Sequence, residues 1–159
     1  MPQLCMHSPI GDLTVTEENG AIISLDWGWV PEEWQTETDL LKEAVDQLND
    51  YFDGNRLDFD LPLNPPGSDF QKQVCAAMSA IPGGSTKSYG EIAKEIDSSA
   101  QAVGNACGLN PIPVIIPCHR VLAAGKEMGG FSGLGGVDTK KILLQLEGAL
   151  PPQQQTLDL

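Results

Sequence analysis

The sequence is poor in several chemically important residue types. Its 159 residues include two histidines, four cysteines and nine lysines plus arginines. The cysteines form no C-x-x-C pair, so neither a zinc ribbon nor a disulfide framework is indicated. No apolar run approaches the roughly 18 residues of a membrane span, and the first residues lack the basic-then-apolar order of a signal peptide. We therefore expect a cytoplasmic protein with reduced thiols.

A metal site has little support in the residues present. Cys5 and His7 would lie on the same face of a strand. A structural zinc ion normally takes four cysteine or histidine ligands, and two more are missing nearby. We expect an edge-strand cysteine, a surface histidine and no metal.

Charge is distributed unevenly along the chain. Residues 1–65 contain 14 acidic and 2 basic residues, a net charge of -12, whereas residues 66–159 contain 8 and 7, a net of -1. This contrast predicts an acidic N-terminal α/β lobe over 1–65 and a second lobe over 66–150. The segment "PPQQQTLDL", residues 151–159, predicts a disordered tail. The acidic lobe would repel nucleic acid, but the second lobe could tolerate it.

Hydrophobic spacing predicts the fold class, which is α/β of the α+β type. Three strands within residues 4–29 predict a small antiparallel sheet, followed by a helix over 37–54. The apolar face of that helix comprises Leu40, Leu41, Ala44, Leu48 and Phe52. The second lobe is mainly helical. Two short amphipathic helices around Asp97 form a winged-helix-like helix-turn-helix, in which Gly104 predicts the close approach of another backbone.

The segment "NPIPVIIPCHRV", residues 110–121, ends on a candidate nucleophile, Cys118. A thiol with a pKa of about 8.5 needs a nearby base at neutral pH, and His119 is adjacent. Neighbouring residues of an extended chain point to opposite sides, so His119 would reach the thiol only at a turn or through water. Glu147 is a candidate to orient the imidazole. Plain buried packing of Cys118 stays open as the alternative.

In this order along the chain, the motifs "SYGEIA", "AVGNA", "NPIPVIIPCHRV", "GGFSG" and "LLQLEG" closely resemble those of the O6-alkylguanine-DNA alkyltransferases. The resemblance covers residues 69–148, and PCHR in this context is highly specific. It implies direct, irreversible transfer of an alkyl group from O6-alkylguanine in DNA, or from O4-alkylthymine, to Cys118. It also implies a monomer that acts once and needs no cofactor.

The resemblance further implies roles for individual residues. The histidine matching His119 activates the thiol through water, and the glutamate matching Glu147 orients it. Tyr89 matches the tyrosine that assists nucleotide flipping and the departing guanine, and Lys140 matches the lysine that supports it. Asn110 matches the asparagine that braces the helix-turn-helix against the active site.

On the DNA side, the resemblance implies that a recognition helix enters the minor groove of duplex DNA while the damaged base flips out. The residues that match base or DNA contacts are Gln101, Ala102, Val121, Phe131 and Ser132. Gln101 stands where the family commonly has an arginine wedge, and no lysine or arginine occurs from Ser98 to Asn110. An uncharged wedge and weak contact with phosphates are expected.

Three other functions are weighed against this one. An alkyltransferase-like lesion binder or sensor replaces the reactive cysteine, so Cys118 opposes it. A DNA-binding regulator would need charge on the recognition helix. A Cys–His hydrolase would need an oxyanion motif, which is not evident.

Overall fold

The computed structural model describes residues 1–123 and 136–150. Its N-terminal part is a three-stranded sheet covered by one helix. Strands β1 (Gln3–Met6), β2 (Leu13–Glu18) and β3 (Ala21–Trp27) pair antiparallel in that order, with a bulge between Thr16 and Glu17. Helix α1 (Asp39–Phe52) begins at Thr38, whose side chain accepts a hydrogen bond from the Leu41 amide. This is the sheet-and-helix unit predicted from the sequence.

The buried face of α1 is rotated slightly relative to the apolar face that was predicted from the sequence. Leu41, Ala44, Leu48 and Tyr51 are fully buried, whereas Leu40 and Phe52 are only partly buried. The buried set follows the three- and four-residue spacing of a helix, but it ends on a tyrosine instead of Phe52. A buried tyrosine hydroxyl needs a hydrogen-bond partner, so this difference matters for the site.

The C-terminal part is mainly helical. It contains α2 (Asp69–Ser79), β4 (Lys87–Ser88), α3 (Tyr89–Glu95), α4 (Ala100–Gly108), a 3₁₀ turn (Cys118–Arg120), β5 (Val121–Leu122) and α5 (Val137–Leu146). Strands β4 and β5 pair in parallel, and α3 packs against α4. Ser88 and Glu91 form a capping box at the start of α3. The predicted helix-turn-helix and the mixed α+β fold are confirmed.

The two parts share one hydrophobic core. Its buried residues come from the sheet, from α1 and from every C-terminal helix. The proline-bearing segment between them is tied to β3, since the Ile22 amide bonds Pro62 O and the Asn64 amide bonds Ile22 O, each at 2.8 Å. None of the described helices is long and apolar enough to cross a membrane.

An edge-strand cysteine and a surface histidine were expected for Cys5 and His7. His7 lies 2.6 Å from Asp12 and stacks on Trp29, and the sulfur of Cys5 lies 3.2 Å from the Thr14 hydroxyl.

The close backbone approach expected at Gly104 is wrong within the described part of the chain. A Cβ built there meets no described atom within 4 Å.

Candidate active site

The loop that precedes Cys118 is held by the side chain of Asn110. Its amide nitrogen donates to Ile116 O at 2.8 Å, and its oxygen accepts from the Ile112 amide at 3.0 Å. Within the loop, Val114 adopts a positive φ of 73°, which is costly for a β-branched residue. The surrounding hydrogen bonds and complete burial of Val114 offset that strain. The loop is therefore a fixed support for the cysteine.

The chain turns sharply at Cys118. Pro117 has φ -81° and ψ 69°, and the Cys118 amide bonds Ile116 O at 2.8 Å, which is an inverse γ-turn. Cys118, His119 and Arg120 then form the 3₁₀ turn, and all three are buried. The alternation of an extended chain does not apply here. A turn is present, which is one of the two ways in which His119 was expected to reach the thiol, the other being through water.

The Glu147 carboxylate accepts hydrogen bonds from three side chains. It follows the last residue of α5, and its carboxylate is buried. The carboxylate accepts from His119 Nε2 at 2.6 Å, from Arg120 Nε at 2.9 Å and from the Tyr51 hydroxyl at 2.5 Å. Burial alone would raise the pKa of Glu147, but the bonds from His119 and Arg120 outweigh it and lower that pKa to about 2. Glu147 is therefore an anion at neutral pH.

The Glu147 anion fixes the tautomer of His119. Burial lowers the pKa of His119, and the hydrogen bond to Glu147 opposes that shift only in part, so the imidazole is neutral at neutral pH. An ionised carboxylate can only accept, so Nε2 carries the hydrogen. Nδ1 then has a lone pair, and within the described residues it has no hydrogen-bond partner. The imidazole is thus prepared to accept a proton at Nδ1.

Arg120 joins distant segments around the same carboxylate. Besides Glu147, its guanidinium donates to Asp58 Oδ1 at 2.9 Å, to Leu57 O at 2.7 Å and to Ile81 O at 2.6 Å. These partners belong to the connecting segment and to the residues just after α2. The arginine is structural: it ties the two parts of the chain together directly behind the His119–Glu147 pair.

Lys140 contacts Tyr89 and Val121 and lies close enough to Cys118 to interact with its charge. The Lys140 ammonium is fully buried, donates to Val121 O at 2.7 Å and lies 5.9 Å from the centre of the Tyr89 ring. Burial lowers the pKa of Lys140 to about 8, although charge interaction with Cys118 raises it in part. An ammonium here would stabilise a thiolate on Cys118.

Two other buried thiols lie close enough to Cys118 to interact with its charge. Burial is the main cause that raises the pKa of Cys75, and it raises the pKa of Cys107 to about 12. Both are therefore protonated and poor nucleophiles at neutral pH.

Both parts of the chain match models of one protein family. Residues 4–65 match the ribonuclease-like domain of 6-O-methylguanine DNA methyltransferase, and residues 69–149 match the DNA binding domain of the same protein. The chain belongs to the 6-O-methylguanine DNA methyltransferase family.

Relatives that cover most of the chain agree with this assignment. The methylated-DNA–protein-cysteine methyltransferase of Mycobacterium tuberculosis is 41% identical, covering 96% of this chain and 95% of that protein. The Methanosarcina acetivorans protein of the same name is 44% identical over 76% of this chain and 77% of its own. A crystal structure of Mycobacterium tuberculosis OGT in complex with DNA superposes with a TM-score of 0.83, at 40% identity and 99% coverage of both chains.

The 6-O-methylguanine DNA methyltransferase fold thus groups most of the sequence-predicted residues. Contacts or charge interactions link Cys118, His119, Glu147, Lys140, Tyr89 and Val121, and Asn110 holds the loop behind them. Gln101 is exposed and Ala102 half-buried in the first turn of α4. Phe131 and Ser132 lie outside the described residues, as does the tail 151–159.

Sequence reasoning missed the hydrogen bond from the Tyr51 hydroxyl to Glu147 in the candidate site. The two residues are 96 positions apart, so no local pattern connects them. The available signal was the helical spacing itself, which places Tyr51 one turn after Leu48 on the apolar face of α1. Asp58, the partner of Arg120, carried no comparable signal, because it lies in an irregular, mostly exposed segment.

Proposed function

We propose that this protein repairs DNA by moving the alkyl group of O6-alkylguanine onto the sulfur of Cys118, once per molecule. The observation that carries the proposal is the buried Cys118-His119 turn, with His119 bonded to an ionised Glu147, in a chain of the methyltransferase family. The bond from carbon to guanine O6 breaks and a carbon–sulfur bond forms. The thiol proton leaves through His119, and the guanine takes up one proton as it departs.

The proton path follows from the tautomer of His119. Nδ1 accepts the thiol proton, through the water that the family resemblance implies, and the imidazolium that forms is stabilised by the Glu147 carboxylate at Nε2. Lys140 stabilises the thiolate and supports Tyr89, which in this proposal donates to the departing guanine. No cofactor takes part, because displacement at the alkyl carbon needs only a nucleophile and a leaving group.

The base must leave the helical stack to reach a thiol that is only 3% exposed. In the proposed complex α4 lies in the minor groove, Gln101 fills the space of the flipped nucleotide, and Val121, Phe131 and Ser132 contact the base. Little positive charge supports this surface. Lys87, just before α3, is already paired with Glu95.

The direct test is reaction with benzylguanine as the free base, because it needs no DNA contact. Intact mass should rise by one benzyl group per molecule and then stop, and guanine should be released in equal amount. Binding to O6-methylguanine DNA without any transfer would instead indicate a lesion binder. Continuous turnover would indicate a hydrolase.

Replacing the wedge, Gln101→Arg, should tighten DNA binding and speed repair of duplex while reaction with free benzylguanine barely changes. With few lysines near α4, wild-type affinity for undamaged duplex should be weak, with a salt slope that corresponds to about two or three phosphate contacts. The variant should add about one contact. Fluorescence anisotropy across a salt series and single-turnover rates on both substrates measure this.

Either of two results would contradict that account of residue 101. A steep wild-type slope would mean that basic residues elsewhere form the DNA surface. An equal rate gain on the free base would mean that residue 101 acts on the pocket.

Gly104→Ala should stabilise the fold but weaken DNA binding. Because a Cβ at this position meets no described atom, alanine should gain about 1 kcal/mol from helix propensity alone. On the proposed minor-groove surface, the added methyl group would keep the helix backbone away from the DNA. Urea unfolding and anisotropy measure the two effects, and the benzylguanine rate serves as the control. A stabilised variant with unchanged DNA affinity would show that this side of α4 does not meet the groove.

A further inference from the structure

We propose that Tyr51, on α1 of the N-terminal part, is a positioning residue for the alkyl transfer: its hydroxyl holds the Glu147 carboxylate and thereby keeps His119 in its proton-accepting form. The inference rests on the proposed function for its catalytic meaning. Its physical content, an effect of Tyr51 on His119, can be measured without any alkyl transfer.

The geometry places three donors on one oxygen. The Tyr51 hydroxyl donates to Glu147 Oε2 at 2.5 Å, His119 Nε2 lies 2.6 Å from the same oxygen, and Arg120 Nη2 donates to it over a longer distance of 3.1 Å. Tyr51 is 1% exposed, so no solvent competes for its hydroxyl. Each donor takes a share of the negative charge on Oε2, so the strength of one bond depends on the others.

A phenol at this position requires an explanation that packing does not supply. Tyr51 lies against Phe52 and Phe59, with ring centres 5.3 Å apart in each pair. Among such neighbours a phenylalanine would pack as well and would avoid burying a polar group. Burial first, and then the Glu147 charge, raise the pKa of Tyr51 far above its usual value. The hydroxyl is therefore a donor at every pH at which the protein is folded.

The other charged groups around the pair set the expected direction. Arg120 donates to both oxygens of Glu147 and is itself bound by Asp58, and the positive charges of Arg120 and Lys140 lower the pKa of His119. Without the Tyr51 hydroxyl, the charge on Oε2 is less shared and stabilises a protonated His119 more strongly. His119 would then hold its proton to a higher pH and lose its capacity as a base there.

The test compares wild type with Tyr51→Phe, which removes one oxygen atom. The chain has only two histidines, so NMR of the imidazole resonances can distinguish buried His119 from His7, which lies on the surface. We expect the His119 midpoint to rise by about one pH unit, as for the loss of one bond to a charged group. The acid limb of the benzylguanine rate profile should move by the same amount.

Phe59→Leu is the matched control, because it loosens the packing around Tyr51 but keeps the hydroxyl. It should lower the melting temperature and leave both pH profiles in place. Equal His119 titrations in wild type and Tyr51→Phe, or the same shift in Phe59→Leu, would overturn the inference. If wild type fails to react with benzylguanine, the proposed function fails, but the NMR comparison still decides the effect of Tyr51.

Discussion

Cys118→Ala is expected to abolish alkyl acceptance completely while the protein stays folded. No other described cysteine can replace the acceptor. Burial keeps Cys75 and Cys107 protonated, and Cys5 lies in the N-terminal sheet with its sulfur bonded to Thr14. Loss of one buried sulfur should reduce the free energy of unfolding by only about 1–2 kcal/mol. Intact mass after benzylguanine treatment and urea unfolding measure the two effects.

Cys107→Ala is the matched control for that variant. Cys107 is also buried, and its thiol contacts the sulfur of Met78 at 3.5 Å. Its removal creates a cavity of the same size near the site. This variant should still accept one alkyl group per molecule. If transfer survives in Cys118→Ala, or disappears in Cys107→Ala, Cys118 is not the acceptor.

Glu147→Gln should damage both stability and reactivity. The amide cannot carry the charge that His119 and Arg120 bind, so a buried guanidinium loses its principal partner. Breaking a buried ion pair in this way costs about 3–5 kcal/mol. Without the anion, an imidazolium at His119 is no longer stabilised, and the benzylguanine rate should fall by about two orders of magnitude.

The same carboxylate predicts how stability depends on pH. The folded pKa of Glu147 is about 2, below its ordinary value of 4.5, so the unfolded chain binds the proton more readily. The stabilisation is present above about pH 4.5 and is lost as the pH falls towards 2. It amounts to at most about 3 kcal/mol. Urea unfolding at several pH values should show this slope in wild type and a shallower one in Glu147→Gln.

Asp58→Asn provides the comparison, because Asp58 is the other carboxylate that binds the Arg120 guanidinium. It makes the same carboxylate-to-amide change on the same guanidinium, but the Asp58 side chain is 59% exposed. It should cost no more than about 1 kcal/mol and leave the benzylguanine rate unchanged. If the two variants lose equal stability and equal rate, Glu147 acts only as a structural partner of Arg120. If Glu147→Gln reacts as wild type does, Glu147 has no part in activation.

Local patterns in the sequence were sufficient for the elements and for locating the candidate site. Turn residues and apolar spacing predicted the three strands, the helix after them and the helix-turn-helix. The PCHR context pointed to Cys118 and its neighbour as candidate site residues. Each of these signals lies within a few residues, where backbone geometry and side-chain periodicity connect sequence to structure.

Contacts between distant segments could not be predicted. The bonds from Tyr51 and Asp58 depend on how α1 and the connecting segment pack on the C-terminal helices, and the sequence has no local pattern for that packing. A rotation of α1 by a fraction of a turn decides whether Phe52 or Tyr51 lies on its buried face, and residue spacing alone does not resolve so small a rotation. Val114 at positive φ contradicts the preference of its residue type, because the tertiary structure imposes it.

The central claim, that Cys118 receives the alkyl group from DNA, is tested most directly by mass spectrometry after incubation with duplex that contains O6-methylguanine. The account predicts a gain of one methyl group per protein molecule, located on Cys118 by peptide mapping, together with restored guanine in the DNA and no further gain with excess substrate. Methyl on Cys75 or Cys107, repair by repeated turnover, or unchanged protein mass with repaired DNA would contradict it.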